Sequence, residues 1–86
     1  MLKIFFYESV QNYSNCESLE IEPVETLRDC VEQLGEELGS HFKEFLLGED
    51  TCFFLVNGKS IIRTGGLNTP LHPNDKIEIL PVVEAG

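Results

Sequence analysis

The sequence predicts an α+β fold, a mixed sheet of about five strands with one main helix across one face. Three observations predict it. Apolar residues alternate or cluster at both ends of the chain, as strands do. A single stretch in the first half, Leu27 to Leu38, repeats apolar residues at helical spacing. Asn57-Gly58 sits between two β-rich runs, the strongest short-range hairpin signal, because both central positions of a type I′ turn need positive φ.

Taken in order, Met1 to Glu8 carries Leu2, Ile4, Phe5, Phe6 and Tyr7 and reads as a central strand. Alternation sends Leu2, Ile4 and Phe6 inward and Lys3, Phe5 and Tyr7 outward. Gln11 to Asn15 is polar and reads as a turn. Cys16 to Glu22 alternates, with Leu19 and Ile21 apolar, and suits an edge-like strand hairpinned to the first. Pro23 ends it. Thr26 offers an N-cap with Asp29 three residues on, approximating a capping box. Leu27, Cys30, Val31, Leu34 and Leu38 then form one stripe, weakened by Gly35 and stopped by Gly39. His41 to Leu47 reads as a short second helix ended by Gly48. Cys52 to Val56 and Lys59 to Arg63 are the arms of the Asn57-Gly58 hairpin, followed by an irregular Thr64-Gly65-Gly66 loop. Pro70 and Pro73 stiffen the approach to a last strand, Lys76 to Val83, with Ile77 and Ile79 inward and Glu78, Leu80 and Val82 outward. The first and last strands both lack Gly and are very apolar, and they belong side by side in the centre. They run parallel, joined through the helix-containing crossover. That arrangement is a β-grasp.

Composition bounds the function. At 86 residues the chain makes one domain, 1–86. A domain of that size buries roughly 60–65% of its unfolded surface, a modest but sufficient core. The net charge of -9 argues against nucleic acid and anionic membrane surfaces as partners. It suits either docking on a basic protein surface or simple solubility. Cys16, Cys30 and Cys52 make an odd set without CxxC or Cys/His spacing, so neither a disulfide framework nor a metal site is expected. Cys30 falls on the apolar stripe as a small core residue. His41 and His72 have no catalytic partners nearby in sequence. No Ser/His/Asp set and no phosphate-cradling glycine loop is present, which argues against an independent enzyme. With no charged-then-apolar leader and no long apolar run, a reduced, cytoplasmic domain is expected.

The chain ends in Glu84-Ala85-Gly86, a thin tail of 83–86 behind the last strand. The run from Asn68 to Gly86 resembles the end of the MoaD/ThiS sulfur-carrier family, which is ubiquitin-like. Thr69-Pro70-Leu71, Asp75 opening the last strand, Pro81 late in it and the terminal glycine carry the resemblance. The Val56-Asn57-Gly58 turn and the aromatic first strand add to it. Pro81 and Val82 look most like the molybdopterin synthase small subunit. The resemblance implies a non-catalytic carrier. A ubiquitin-activating-like adenylyltransferase would adenylate the Gly86 carboxylate and the acyl group would become a thiocarboxylate. The molybdopterin synthase large subunit would then take the sulfur for molybdenum or tungsten cofactor synthesis. No cofactor is held permanently; AMP and sulfur pass over Gly86. The family has glycine where this chain has Ala85, so Ala85 and Glu84 are the residues whose passage through a partner's channel is in question.

Alternation places Phe5, Phe53, Leu55, Leu80 and Val82 on the sheet face away from the helix, with Glu78 and Glu84 as a polar rim. With Pro81 these are the expected docking residues. Three functions stay open: this carrier; a carrier for thiamine, cysteine or another pathway, or a modifier joined to lysines; and a β-grasp interaction module without tail chemistry.

Overall fold

The computed structural model describes residues 1–48 and 51–82. Five strands, β1 (Leu2–Phe6), β2 (Ser18–Ile21), β3 (Cys52–Val56), β4 (Lys59–Ser60) and β5 (Lys76–Pro81), form one sheet in the order β2-β1-β5-β3-β4. β1 and β5 are parallel and adjacent, with Ile4 opposite Ile77 and Phe6 opposite Ile79. β2 pairs antiparallel with β1, and β3 pairs antiparallel with both β4 and β5. This is the predicted mixed sheet. Its inward residues Leu2, Ile4, Phe6, Phe54, Val56, Ile77 and Ile79 are buried. Each such aliphatic or aromatic side chain contributes about 1.5–3 kcal/mol by leaving water.

Two helices cover that inner face, α2 (Leu27–Leu38) and α3 (Ser40–Leu47). The Thr26 hydroxyl caps α2 by accepting the Asp29 N–H at 3.3 Å. Its own proton goes to the Asp29 carboxylate at 3.1 Å, so the pair closes on itself rather than as a reciprocal capping box. Leu27, Cys30, Val31 and Leu34 are buried as the stripe predicts. Phe42 and Leu46 of α3 join them, Phe42 meeting Phe6 edge-on at 5.6 Å. Gly35 is where α3 comes close: a Cβ there would stand 3.0 Å from Lys43 Cβ and Cδ. The glycine that weakens the helix in sequence is what lets the two helices touch.

The Thr69-Pro70-Leu71 segment fastens the start of α2. The Leu27 N–H donates to the Thr69 carbonyl at 3.0 Å, and the Leu71 N–H to Glu25 at 2.9 Å. Thr69 and Leu71 are buried. The Asn57-Gly58 turn forms with φ of 51° and 83°. Asn57 also donates to the Asp75 carboxylate at 2.8 Å and accepts the Lys76 N–H at 2.9 Å, which fixes where β5 begins.

Three segments differ from expectation. The polar stretch after β1 is a one-turn helix, α1 (Val10–Ser14), with Val10 fully buried and Tyr13 stacked on Phe45 at 4.1 Å. The return arm of the hairpin is only two residues, because the Ser60 hydroxyl accepts the Ile62 N–H at 3.3 Å and starts a 3-10 turn over Ile61–Arg63. A second 3-10 turn, Gly66–Asn68, replaces part of the predicted loop. No helix among the described residues is long and apolar enough to cross a membrane.

Candidate functional site

The helices leave the other face of the sheet open. Strand alternation and register decide what stands there. Phe5 comes from β1 and Tyr7 directly follows it, Glu78 and Leu80 come from β5, and Phe53 and Leu55 from β3; Val82 directly follows β5. Leu80 is opposite Phe53, while Glu78 is flanked by Phe5 on one side and Leu55 on the other. Phe53 and Val82 are exposed, at 40% and 39%, and Phe5, Leu55 and Leu80 are half-buried. Five of the six expected docking residues therefore share one apolar surface. Pro81 does not: it is opposite Cys52 in the ladder, on the side of Ile77 and Ile79. A proline there also withholds an N–H from the ladder as β5 ends.

The surface continues to the root of the tail. A hollow of about 440 Å³ lies between Tyr7, Glu8, Phe53, Leu80 and Pro81, where β5 leaves the sheet. Pro81 reaches the site here, as a wall of the hollow. Glu8 holds φ at 50°, a left-handed conformation that costs a non-glycine residue about 1 kcal/mol. The last described tie of β5 is the Val82 N–H to the Thr51 carbonyl at 3.3 Å. Gly86, expected to carry the reactive carboxylate, and Ala85 and Glu84 of the tail passage lie outside the described residues, as does Val83.

Sequence reasoning placed Glu78 on the rim. The register puts it in the middle of the face. Its side chain is 17% exposed. The Tyr7 hydroxyl donates to Glu78 Oε2 at 2.7 Å, and the Lys76 ammonium stands 3.7 Å from Oε1 and 6.0 Å from the centre of the Phe5 ring. The hydrogen bond to Glu78, helped by desolvation and the carboxylate's charge, raises the Tyr7 hydroxyl above its usual pKa and keeps it a donor. Outward parity of Tyr7 and Glu78 is visible in the sequence. Their meeting requires knowing that β1 and β5 adjoin in this register.

Two of the thiols are held protonated by burial. Burial pushes the Cys30 thiol up to about 12. Burial also raises Cys52, against the lowering effect of its contact with the Thr51 hydroxyl. Among the described residues, no three His, Cys, Asp or Glu side chains gather as a metal set. The described residues offer a surface suited to binding: an apolar face with a charged centre, running to Val82.

Known proteins give this geometry a context. The ThiS family model matches residues 4–86. No curated protein matches the chain. Among solved structures, CysO of Mycobacterium tuberculosis, described as an antigen, superposes with a TM-score of 0.83 at 20% identity, over 96% of this chain and 100% of that one. The small archaeal modifier protein 1 of Methanosarcina acetivorans gives 0.81 at 24% identity, over 99% and 95%. A putative molybdopterin converting factor subunit 1 of Pyrococcus furiosus gives 0.77 at 22% identity, over 95% and 97%. At these identities the likeness is one of fold.

Proposed function

The chain belongs to the ThiS family and has the ubiquitin-like β-grasp of MoaD/ThiS-type sulfur carriers; from that premise we propose that it is a non-catalytic sulfur carrier whose working group is the Gly86 carboxylate. The observation that carries the proposal is the apolar face of Phe5, Phe53, Leu55, Leu80 and Val82 around Glu78, which runs along β5 to Val82, the last described residue before the tail. A protein that docks on this face receives the tail at the same time. Docking supplies orientation, and orientation is most of what a carrier's partner needs.

The tail chemistry follows from the carboxylate. A free carboxylate resists nucleophilic attack. Transfer of AMP from ATP, with loss of pyrophosphate, makes it a mixed anhydride. Hydrosulfide attacks the acyl carbon, the acyl–phosphate bond breaks and AMP leaves, giving the thiocarboxylate directly; a persulfide donor instead gives an acyl disulfide, whose S–S bond a thiol reductant then cleaves to the thiocarboxylate. A ubiquitin-activating-like adenylyltransferase is the proposed first partner. In this reading residues 83–86 are the tail of one carrier domain, and no cofactor stays bound. Pro81-Val82 ahead of the tail, and the likeness in fold to a putative molybdopterin converting factor subunit, support the molybdopterin synthase large subunit as the acceptor. The likeness to CysO and to a small archaeal modifier protein supports a second reading, a carrier for another pathway or a modifier of lysines.

Intact mass measurement tests the tail chemistry. Incubation with ATP, an adenylyltransferase of this type and a sulfur donor is expected to add about 16 Da, oxygen exchanged for sulfur. An unchanged mass with several such enzymes overturns the carrier reading. Ala85→Gly is expected to speed the gain by removing a methyl from the passage. Adding a large subunit and a pterin precursor then separates the two readings: loss of the 16 Da to the pterin supports the first, and a lysine adduct or no transfer supports the second.

A further inference from the structure

The open face has a charge at its centre, and that charge restricts what can cover it. Glu78 lies between Phe5 and Leu55 on the middle strand of the sheet, with 17% of its side chain exposed. A carboxylate accepts up to about four hydrogen bonds. Here Oε2 accepts one, from Tyr7, at 2.7 Å. Oε1 has only the Lys76 ammonium at 3.7 Å, beyond charge-assisted hydrogen-bond length, and half of the Lys76 side chain is in solvent. In the free chain, water serves the remaining lone pairs. A partner that seals the face removes that water.

We infer that Glu78 is a specificity-determining residue of the docking face: the surface that covers it is apolar and carries one cationic donor, a guanidinium by preference, placed to meet the free side of the Glu78 carboxylate. This rests on the docking reading above. A planar guanidinium fits because its forked N–H groups can reach both oxygens beside the Tyr7 hydroxyl. A purely apolar surface would leave a desolvated carboxylate with one short hydrogen bond. A second copy of this chain is the poorer occupant, since each copy brings a net charge of -9 to the contact. Tyr7 acts here as a positioning residue. Its hydroxyl holds Oε2, and thereby the plane of the carboxylate, for the incoming donor.

The test is equilibrium and kinetic binding of the whole chain to a purified ubiquitin-activating-like adenylyltransferase, with variants Glu78→Gln, Glu78→Leu and Leu55→Asp, each checked for folding by thermal melting. Glu78→Gln keeps the hydrogen bond from Tyr7 and loses the charge. It is expected to weaken binding about 10- to 100-fold, mainly through faster dissociation. Glu78→Leu is expected to weaken it further, although it makes the face more apolar. Unchanged or tighter binding by folded Glu78→Leu, with Leu55→Asp still disruptive, overturns the inference and leaves the docking face in place. Unchanged binding by folded Leu55→Asp overturns both.

Discussion

Replacing Leu80 by aspartate separates the fold from the proposed docking face. Leu80 is half-buried beside Phe53, on the strand that the sheet is built around. Burying a leucine fully is worth about 1.5–3 kcal/mol, so the half that Leu80 loses in the free chain is about 1 kcal/mol. Aspartate in a strand adds up to about 1 kcal/mol more. For a domain of 86 residues, 1 kcal/mol lowers the melting point by about 4–8 °C. Leu80→Asp should therefore fold and melt about 5–15 °C lower. Binding should suffer far more. A central interface residue costs 2 kcal/mol or more when truncated, and a new carboxylate sealed without a partner adds to that. The affinity for the adenylyltransferase should fall about 100-fold or more, read by titration calorimetry well below the melting point. Ile62→Asp is the control: Ile62 is the most exposed large apolar residue described, at 87%, yet it stands in the 3-10 turn after β4, off the face. It should change neither folding nor binding. Folded Leu80→Asp binding within threefold of the parent would refute the reasoning.

Gly35→Ala should lower stability by about 1 kcal/mol in urea unfolding: helix propensity favours alanine by about 1 kcal/mol, but a Cβ 3.0 Å from Lys43 Cβ brings an overpacking cost of about 1–3 kcal/mol. A gain in stability would show that α3 moves aside. Asn57→Ala should cost about 2 kcal/mol, since it loses both hydrogen bonds to the start of β5 and keeps a φ of 51°, whereas Asn57→Gly should cost about half as much in the same unfolding assay. The Cys30 thiol should resist a disulfide reagent at pH 8 until the chain unfolds. Because its folded pKa is raised to about 12, the unfolded state releases the proton first as pH rises, so stability should be full below about pH 8.5 and decline by up to about 1.4 kcal/mol per pH unit towards 12. Guanidinium unfolding across that range checks it, and Cys30→Ala should flatten the decline.

Elements with strong periodicity were legible in the sequence. The stripe from Leu27 to Leu34, the Asn57-Gly58 turn and the two central strands each have a local signal that tertiary packing reinforces. Elements held by a single side chain were not. The run from Lys59 to Arg63 alternates little, and only the capture of the Ile62 N–H by the Ser60 hydroxyl ends the strand early. α1 is one turn with a single aliphatic residue, too short for a periodic signal, and it is anchored by Val10 in the core and by Tyr13 on Phe45. The open face was legible residue by residue, from parity alone. Its charged centre was not, because parity does not say that Glu78 has Phe5 on one side and Leu55 on the other.

The parallel pairing of β1 and β5 also gives the molecule a polarity. Both strands point the same way, from Lys3 and Lys76 towards Phe6 and Ile79. Six residues of β5 at about 3.3 Å each set roughly 20 Å between the start of that strand and the point where the tail departs. Cargo fused ahead of Met1, or a surface to which Met1 is tethered, therefore sits at the opposite pole from the residues that lead to Gly86. A tether at Met1 leaves the end of β5 clear of it.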